Sequence, residues 1–320
     1  MRTVHALGEV HLIDRLRRRL GRAPSSLVEV GIGDDAAVLK MPGRRRLLFA
    51  SDMIVENVHF RLPAAPSRIG SRAAQAGRRT TPAQWIGWKA LAANVSDIAA
   101  MGGEPLCAVV SLGLPPSTPT AFVDALYGGL ARCARRFGVA VVGGDTVRAA
   151  RVTVDVAMLG TVERRHLVLR SGAQVGDTLF VTGRLGGSLA SGRHARFTPR
   201  VREAQQLVRQ VRIHAMMDLS DGLASDLWQM SRASRVVLRV EAARIPVSRA
   251  ARTLQRALSD GEDFELLFAV GWRDVGRVPR RIGSCPITRI GAAVRRGVRV
   301  ELQQSNGRIS PLAPAGFRHF

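Results

Sequence analysis

Aspartates recur along this chain beside glycine or other small residues. They lie in five short segments, which are GIGDD at residues 31–35, ASD at 50–52, NVSD at 94–97, GGDT at 143–146 and DLSD at 218–221. Carboxylates gathered in one place repel one another and cannot all ionise unless cations neutralise them. Glycines let backbone N–H groups approach a ligand closely. The pattern therefore predicts bound metal and phosphate, and magnesium with a nucleotide would meet both requirements.

The acidic pair Asp34 and Asp35 is predicted to lie on a turn beside a strand that begins with AAVL at residues 36–39. Adjacent carboxylates seldom share one direction, so one is expected to bind metal while the other caps backbone N–H groups. A solvated turn is the alternative. The sequence GIG is too short for a dinucleotide fingerprint and no GxxxxGK[ST] motif occurs, so P-loop and Rossmann sites are unsupported.

Three further candidates each have an ordinary structural alternative. His59 follows Asp52 by seven residues and could orient a substrate phosphate, but a lone histidine is more often structural. Asp97 could bind metal or cap its own helix. The segment GGDT at 143–146 resembles a nucleotide or metal loop, and a hairpin turn explains it as well.

Two later segments also suggest anion binding. In DLSDGL at residues 218–223, Ser220 is expected to cap a helix whose N-terminus faces an anion. Residues 183–192 are rich in glycine and serine at a predicted strand-to-helix junction, where backbone amides could hold phosphate or simply form a tight turn. In GEDFE at 261–265, a carboxylate again lies at a strand entrance.

The elements that must position these residues alternate between helices and strands, which indicates an α/β fold. Helical spacing or composition predicts helices over 11–20, 85–101 and 121–137, and apolar runs predict strands over 47–50, 106–114, 139–142, 151–162, 178–182 and 266–270. Since the runs at 47–50 and 139–142 lead straight into aspartate-bearing turns, Asp52 and Asp145 are expected at strand ends. We predict two domains, at residues 1–149 and 150–320.

Composition limits the possible partners. The formal net charge of +23 comes almost entirely from arginine, because Lys40 and Lys89 are the only lysines in the sequence. The arginines are scattered, and aromatic residues that could stack on bases make up only 5% of the chain, so we expect no specific nucleic-acid partner.

The cysteines Cys107, Cys133 and Cys285 form no CxxC pair, which suggests neither a zinc site nor a disulfide framework. A reducing compartment fits this pattern best. The sequence shows no signal peptide and no apolar run of about 18 residues, so we expect a cytoplasmic protein without a membrane partner.

Six segments in order resemble the thiamine-monophosphate kinase family of the PurM-like ATP-binding superfamily. They are GIGDDAAVL at 31–39, SDMIVENVHF at 51–60, KALAANVSDIAAMGGEP at 89–105, GGDTVR at 143–148, DLSDGL at 218–223 and GEDFEL at 261–266. The resemblance implies ATP-dependent phosphorylation of thiamine monophosphate to thiamine diphosphate. It also implies a PurM-like two-domain α/β (α+β) fold, with the N-terminal domain paired across a homodimer and ATP bound between the domains.

The resemblance assigns a role to individual residues. Several Mg²⁺ ions would be held by Asp35, Ser51, Asp52, Asp97, Asp145, Asp218 and Asp221. ATP would contact Gly144, Asp145, Arg170 and Ser220, and thiamine monophosphate would contact His59, Glu262 and Phe317. No catalytic general base or covalent nucleophile is expected, because a phosphate oxygen is already ionised at neutral pH and phosphoryl transfer depends on positioning and charge neutralisation.

The chain departs from the family pattern in places. Residues 63–84 resemble an insertion, residues 192–216 look shorter than usual, and Ala50 stands where a hydroxyl residue is frequent. If the Ala50 backbone carbonyl is the metal ligand, nothing is lost there.

Two alternative functions remain at this stage. One is another ATP-using enzyme of the PurM-like superfamily, such as a selenophosphate-forming, ring-closing or hydrogenase-maturation enzyme. The first cysteine is Cys107 and the chain ends in Phe320, which disfavours the types that carry an N-terminal or C-terminal reactive cysteine. The other is an arginine-rich nucleic-acid-binding protein that lost catalysis, which retention of the motif aspartates disfavours.

Overall fold

The computed structural model describes residues 3–21, 25–63 and 80–319. Most of the insertion-like segment 63–84 lies outside these residues. The described helices are Val4–Leu7 (α1), Glu9–Leu20 (α2), Ala83–Ala100 (α3), Thr120–Phe137 (α4), Ser188–Ser191 (α5), Val201–Gln210 (α6), Leu223–Ser234 (α7) and Leu254–Ser259 (α8). None of these helices has the length and apolar content needed to cross a membrane.

The first sheet is built from Val28–Val30 (β1), Ala37–Lys40 (β2), Arg45–Val55 (β3), Glu104–Leu114 (β4), Ala140–Arg148 (β5) and Thr153–Glu163 (β6). Their spatial order is β1-β2-β3-β6-β4-β5, and only the β4–β5 pair is parallel. The 11-residue strand β3 pairs with β6 along its whole length. The first sheet therefore continues to Glu163, beyond the predicted domain boundary at 149/150.

One face of the first sheet is packed and the other is open. Leu48 and Ile54 point from β3 into a core against α3. Side chains alternate along a strand, so the intervening residues point the opposite way. Phe49, Met53 and Val147 are about half exposed there, at 46%, 54% and 54%. The described residues of the single chain therefore leave this apolar sheet face uncovered.

Helix α3 connects the two halves of the molecule. Fourteen of its 18 residues are buried, because the first sheet, α4, α6 and β8 (Ile213–Asp218) all contact it. Glycines permit the close approach to α4, since a Cβ at Gly87 would lie 1.9 Å from the Leu126 carbonyl oxygen. A helix buried on all sides can present polar side chains to a site between the two sheets.

The second sheet contains β8 together with Thr178–Thr182 (β7), Val236–Glu241 (β9), Leu266–Val270 (β10), Arg281–Ile282 (β11), Cys285–Arg296 (β12), Arg299–Gln303 (β13) and Ile309–Pro311 (β14). Its path is β14-β13-β9-β12-β7-β10-β8, and β11 pairs with β12. Strands β10 and β8 put the loop 261–265 beside residues 218–221, because Leu266 pairs with Asp218.

Many predicted elements are confirmed, including α2, α3, α4 and the strands at 178–182 and 266–270. The expectation that Asp52 and Asp145 lie at strand ends is wrong. Both aspartates lie within longer strands, β3 and β5, because cross-strand pairing continues past the apolar runs that marked these strands.

Candidate active site

Four aspartates from separate elements meet between the two sheets. Asp35 precedes β2, Asp97 lies in the last turn of α3 and Asp218 ends β8, and one carboxylate oxygen of each lies within 4.8 Å of the others. The carboxyl group of Asp52 on β3 lies near those of Asp97 and Asp35. We call Asp35, Asp52, Asp97 and Asp218 the carboxylate cluster. It unites segments that are far apart in sequence.

Burial makes ionisation of the carboxylate cluster unfavourable. Burial is the largest cause that raises the pKa of all four carboxyl groups, and repulsion between them adds to it for Asp52, Asp97 and Asp218. The pKa of Asp218 rises from 3.8 to about 8, opposed by a 2.6 Å hydrogen bond from the Ser96 hydroxyl. The cluster therefore requires positive charge from elsewhere to ionise fully.

Arg170 supplies only part of that charge. Its guanidinium forms an ion pair with Asp35 and donates a hydrogen bond to Gln229. Its Nε and the Oδ2 atom of Asp35 are buried, and neither has a hydrogen-bond partner among the described residues. Buried polar atoms normally have partners, so these two indicate an incomplete polar site.

The residues of the carboxylate cluster fit magnesium. The donors are hard oxygen atoms, and the buried Asp35 Oδ2 still has the capacity to bind a cation. Asp34 takes the other role predicted for the acidic pair, since its carboxylate accepts hydrogen bonds from the backbone N–H of Arg170 at 3.1 Å and of Asp35 at 3.0 Å. The capping role expected for one member of the pair is therefore confirmed for Asp34, and metal binding by Asp35 stays a prediction.

Three other predicted residues are not part of the cluster. Ser51 lies on the exposed face of β3, where its hydroxyl donates to Asp155 at 3.2 Å. Asp145 shares that face, because it pairs with Ser111, which in turn pairs with Asp155. At Gly144, a Cβ would lie 1.9 Å from the Val110 carbonyl oxygen, so close strand packing explains this glycine. In this single chain, Ser51 and Asp145 therefore lie on the other face of the first sheet.

Asp221 and Ser220 connect the cluster to a second group of residues. Burial raises the pKa of Asp221 to about 6, and Arg170 lies close enough to oppose this rise. The carbonyl oxygens of Ser220 and Asp221 accept hydrogen bonds from Glu262 N at 2.6 Å and Phe317 N at 3.0 Å. The prediction that Ser220 caps α7 is wrong. The N-cap residue is Gly222, and its N–H donates to Asp226 at 3.1 Å.

The predicted substrate residues lie together beside Lys89. The Lys89 ammonium pairs with Glu262 and donates to the His59 carbonyl oxygen at 2.9 Å. The His59 ring is 6.0 Å from the Phe317 ring and 5.2 Å from that of His319, measured between centroids. We call His59, Lys89, Glu262 and Phe317 the Lys89 group. It offers one cation, one carboxylate and aromatic surface.

Burial, followed by the charge of Lys89, lowers the pKa of His59 to about 4. The ring is therefore neutral near pH 7. Its Nδ1 accepts a hydrogen bond from Val55 N at 3.0 Å, so Nε2 carries the proton and is the donor available to a ligand. This is the atom that can orient an anionic substrate.

Sequence reasoning missed two of these neighbours. Lys89 is 1% exposed, and its rarity was a usable signal, because a chain that otherwise uses arginine keeps a compact ammonium here. Asp155 lies close to Asp52 but is flanked only by valines, so no local motif marks it.

The backbone amides of the glycine-rich segment 183–192 bind carboxylates of this chain. Gly186 N donates to Asp263 at 2.7 Å and Gly187 N donates to Asp260 at 2.8 Å. These two amides are therefore occupied within the fold, which favours the tight-turn interpretation over the phosphate loop.

Known proteins resemble this chain over most of its length. Residues 33–162 match the family model of the AIR synthase related protein N-terminal domain, and residues 174–297 match that of the C-terminal domain. Thiamine-monophosphate kinase from Rhodopirellula baltica is 37% identical, over 95% of both chains, and the same enzyme from Bacillus subtilis is 32% identical, over 92% of this chain and 94% of that one.

The structural comparison covers the whole chain. A structure of AaThiL complexed with AMPPCP and TMP matches with a TM-score of 0.81 and 30% identity, over 100% of this chain and 99% of that one. The two-domain PurM-like architecture inferred from the sequence is thereby confirmed. Shared motifs, domain models and full-length similarity show that the chain belongs to the thiamine-monophosphate kinase family.

Proposed function

We propose that this protein transfers the terminal phosphoryl group of ATP to thiamine monophosphate, giving thiamine diphosphate and ADP. The observation that carries the proposal is the carboxylate cluster, whose negative charge is more than Arg170 alone can balance. Ser220 and Asp221 connect it to the Lys89 group through hydrogen bonds from Glu262 N and Phe317 N. Full-length similarity to a structure complexed with an ATP analogue and TMP supports both substrates. Identity of 37% over 95% of the chain favours this substrate over those of other PurM-like enzymes.

Asp35, Asp52, Asp97 and Asp218 would hold Mg²⁺, and Asp221, Asp145 and Ser51 remain proposed as additional ligands. Bound Mg²⁺ would neutralise the charge of two phosphate-bearing substrates. The chain's own residues would hold the acceptor phosphate in line with the terminal phosphate of ATP. Since the attacking phosphate oxygen is already ionised, we propose direct transfer without a general base and without a phosphorylated enzyme intermediate.

Arg170, Gly144, Asp145 and Ser220 are proposed to contact ATP. The Arg170 Nε that lacks a partner supports this role, because a phosphate oxygen would satisfy it. On the acceptor side, His59 Nε2 would donate to the substrate, Glu262 would face its positive charge, and Phe317 would pack on its rings.

We also propose a homodimer formed through the open face of the first sheet. Phe49, Met53, Val109 and Val147 expose apolar surface there, and an uncovered apolar face of this kind marks an interaction site. The chain mass is 34.6 kDa, so sedimentation of the wild type should give twice this value. Met53→Lys should reduce the measured mass to that of one chain. A monomeric wild type would contradict this proposal.

The direct test of function is turnover of thiamine monophosphate with ATP and Mg²⁺, measuring thiamine diphosphate and ADP in the same samples. Equal formation of both products by wild type, and none by Asp52→Asn, is the expected result. Asp177→Asn is the matched control, because Asp177 is another buried aspartate but pairs with His214 outside the site. ADP without thiamine diphosphate would indicate a different acceptor.

A further inference from the structure

The loop that carries Glu262 is held in an unfavourable backbone conformation. Glu262 has φ 61° and Phe264 has φ 50°, so two non-glycine residues of the loop 261–265 lie in the left-handed region. Residues other than glycine are disfavoured in this region, because the Cβ atom lies too close to the following carbonyl oxygen. Such conformations persist only where the surrounding contacts determine them, so the contacts of this loop decide where the Glu262 side chain lies.

Two arginines of residues 193–200 form ion pairs with the residues that follow Glu262 in this loop. Arg193 pairs with Asp263 and, at 3.3 Å, with Glu265. Arg200 Nε and a terminal guanidinium nitrogen donate to the two oxygens of Glu265 at 2.7 and 2.6 Å. The side chains of Asp263 and Glu265 are only 1% and 2% exposed. Bidentate pairing of this kind fixes orientation as well as distance.

An aromatic contact fixes the middle of the loop. The rings of Phe197 and Phe264 stack with centroids 3.8 Å apart and an interplanar angle of 8°. The carbonyl oxygen of Phe197 accepts a 2.8 Å hydrogen bond from Trp88, the neighbour of Lys89 in α3. Residues 193–200 therefore connect the Glu262 loop to the helix that carries its ion-pair partner.

We propose that Arg193, Phe197 and Arg200 are positioning residues that set the affinity for thiamine monophosphate by holding Glu262 in place. These three residues contact Asp263, Phe264 and Glu265, which follow Glu262 in the loop. Their effect on the position of the Glu262 side chain is therefore transmitted by the loop backbone. This inference rests on the proposed function, since Glu262 must bind the acceptor substrate. It predicts a selective effect on one substrate, whereas a purely structural role would lower stability without discriminating between the substrates.

The test compares Arg193→Gln and Phe197→Leu with wild type, with KM determined separately for thiamine monophosphate and ATP. Each variant should raise KM for thiamine monophosphate about tenfold while KM for ATP stays within about twofold, because small displacements of a positioning group are costly. Arg239→Gln is the matched control. Its side chain is 28% exposed against 30% for Arg193, and it also pairs with a buried glutamate, Glu301.

A double-variant cycle identifies the route of the effect. In a Glu262→Gln background, adding Phe197→Leu should raise KM for thiamine monophosphate by less than about twofold, because the group being positioned has already changed. Phe197→Leu leaves both ion pairs in place and keeps the test valid if Arg193→Gln does not fold. Unchanged KM in the folded variants, equal increases for both substrates, or an undiminished increase in the Glu262→Gln background would overturn the inference.

Failure of the proposed function gives a different result. Wild-type protein that binds ATP but does not convert thiamine monophosphate would refute the function, and the inference would fall with it. Active wild type with unselective variants would refute the inference alone.

Discussion

Two groups of buried carboxylates lie within this molecule, and they differ in how their charge is balanced. The carboxylate cluster sets four aspartates against one arginine, Arg170. Within the Glu262 loop, Asp263 and Glu265 face two arginines, Arg193 and Arg200. The second group is neutral when fully ionised, whereas the first is not. We interpret the balanced group as a structural connection, and we propose the unbalanced group as a cation site.

The burial of the balanced group still has a cost. Burial raises the pKa of Asp263 to about 7, although Arg193 opposes the rise. The two groups are therefore distinguished by the available counter-charge and not by burial, and variants of the two should behave differently.

The largest expected effect is on catalysis in the carboxylate cluster. Asp97→Asn removes a charge that the proposed Mg²⁺ requires, so kcat should fall by about a hundredfold or more. Initial rates of thiamine diphosphate formation at saturating substrates measure this. A fall in kcat of less than about threefold would show that Asp97 does not belong to the site.

The next effect concerns the balanced group. Glu265→Gln removes the bidentate partner of Arg200 and leaves it only the 3.5 Å pair with Glu203, so the free energy of unfolding should fall by about 3 kcal/mol. Urea denaturation measures the loss. Glu163→Gln is the control, because its pair with Arg165 is exposed and should contribute less than about 1 kcal/mol. Equal effects in both variants would contradict the assignment of a structural role to Glu265.

In the carboxylate cluster, replacing a carboxylate should have the opposite effect on the free energy of unfolding. Without metal, Asp97→Asn relieves repulsion among buried carboxylates, so the free energy of unfolding should rise, by about 1 kcal/mol. Urea denaturation in the presence of a chelator tests this. Destabilisation as large as that of Glu265→Gln would show that the cluster is already balanced.

The smallest effect is a pH dependence. In the metal-free protein, folded Asp218 keeps its proton up to a pKa of about 8, whereas the unfolded chain loses it near 3.8, so its contribution to stability falls as pH rises between these values. Mg²⁺ favours the ionised form. The increase in Tm on adding Mg²⁺ should therefore grow from pH 6 to pH 8, and an increase that is independent of pH would contradict this.

The sequence predicted individual helices and strands better than the contacts between them. Helix α3 and the strand at 178–182 follow from local apolar patterns, and the capping role within the pair Asp34 and Asp35 follows from their adjacency. The extension of β3 past Asp52 depends on pairing with β6, about a hundred residues later, which no local pattern reports.

Candidate site residues show the same limit. The motif aspartates were identified by their small neighbours, but no local pattern places Asp145 on the opposite sheet face from Asp52. The contacts of Arg193 and Arg200 with Glu265 span 65 residues or more, and in a chain this rich in arginine no single one is conspicuous. Only the fold determines which of the scattered charged residues form ion pairs with each other.

The most direct measurement is calorimetric titration of Mg²⁺ into metal-free wild type and Asp97→Asn, each with AMPPCP bound. We expect saturable binding to wild type that is accompanied by proton release, since the carboxyl groups must ionise. We expect Asp97→Asn to lose most of this heat. Identical isotherms for the two proteins would contradict the central claim that unbalanced carboxylates form the metal site.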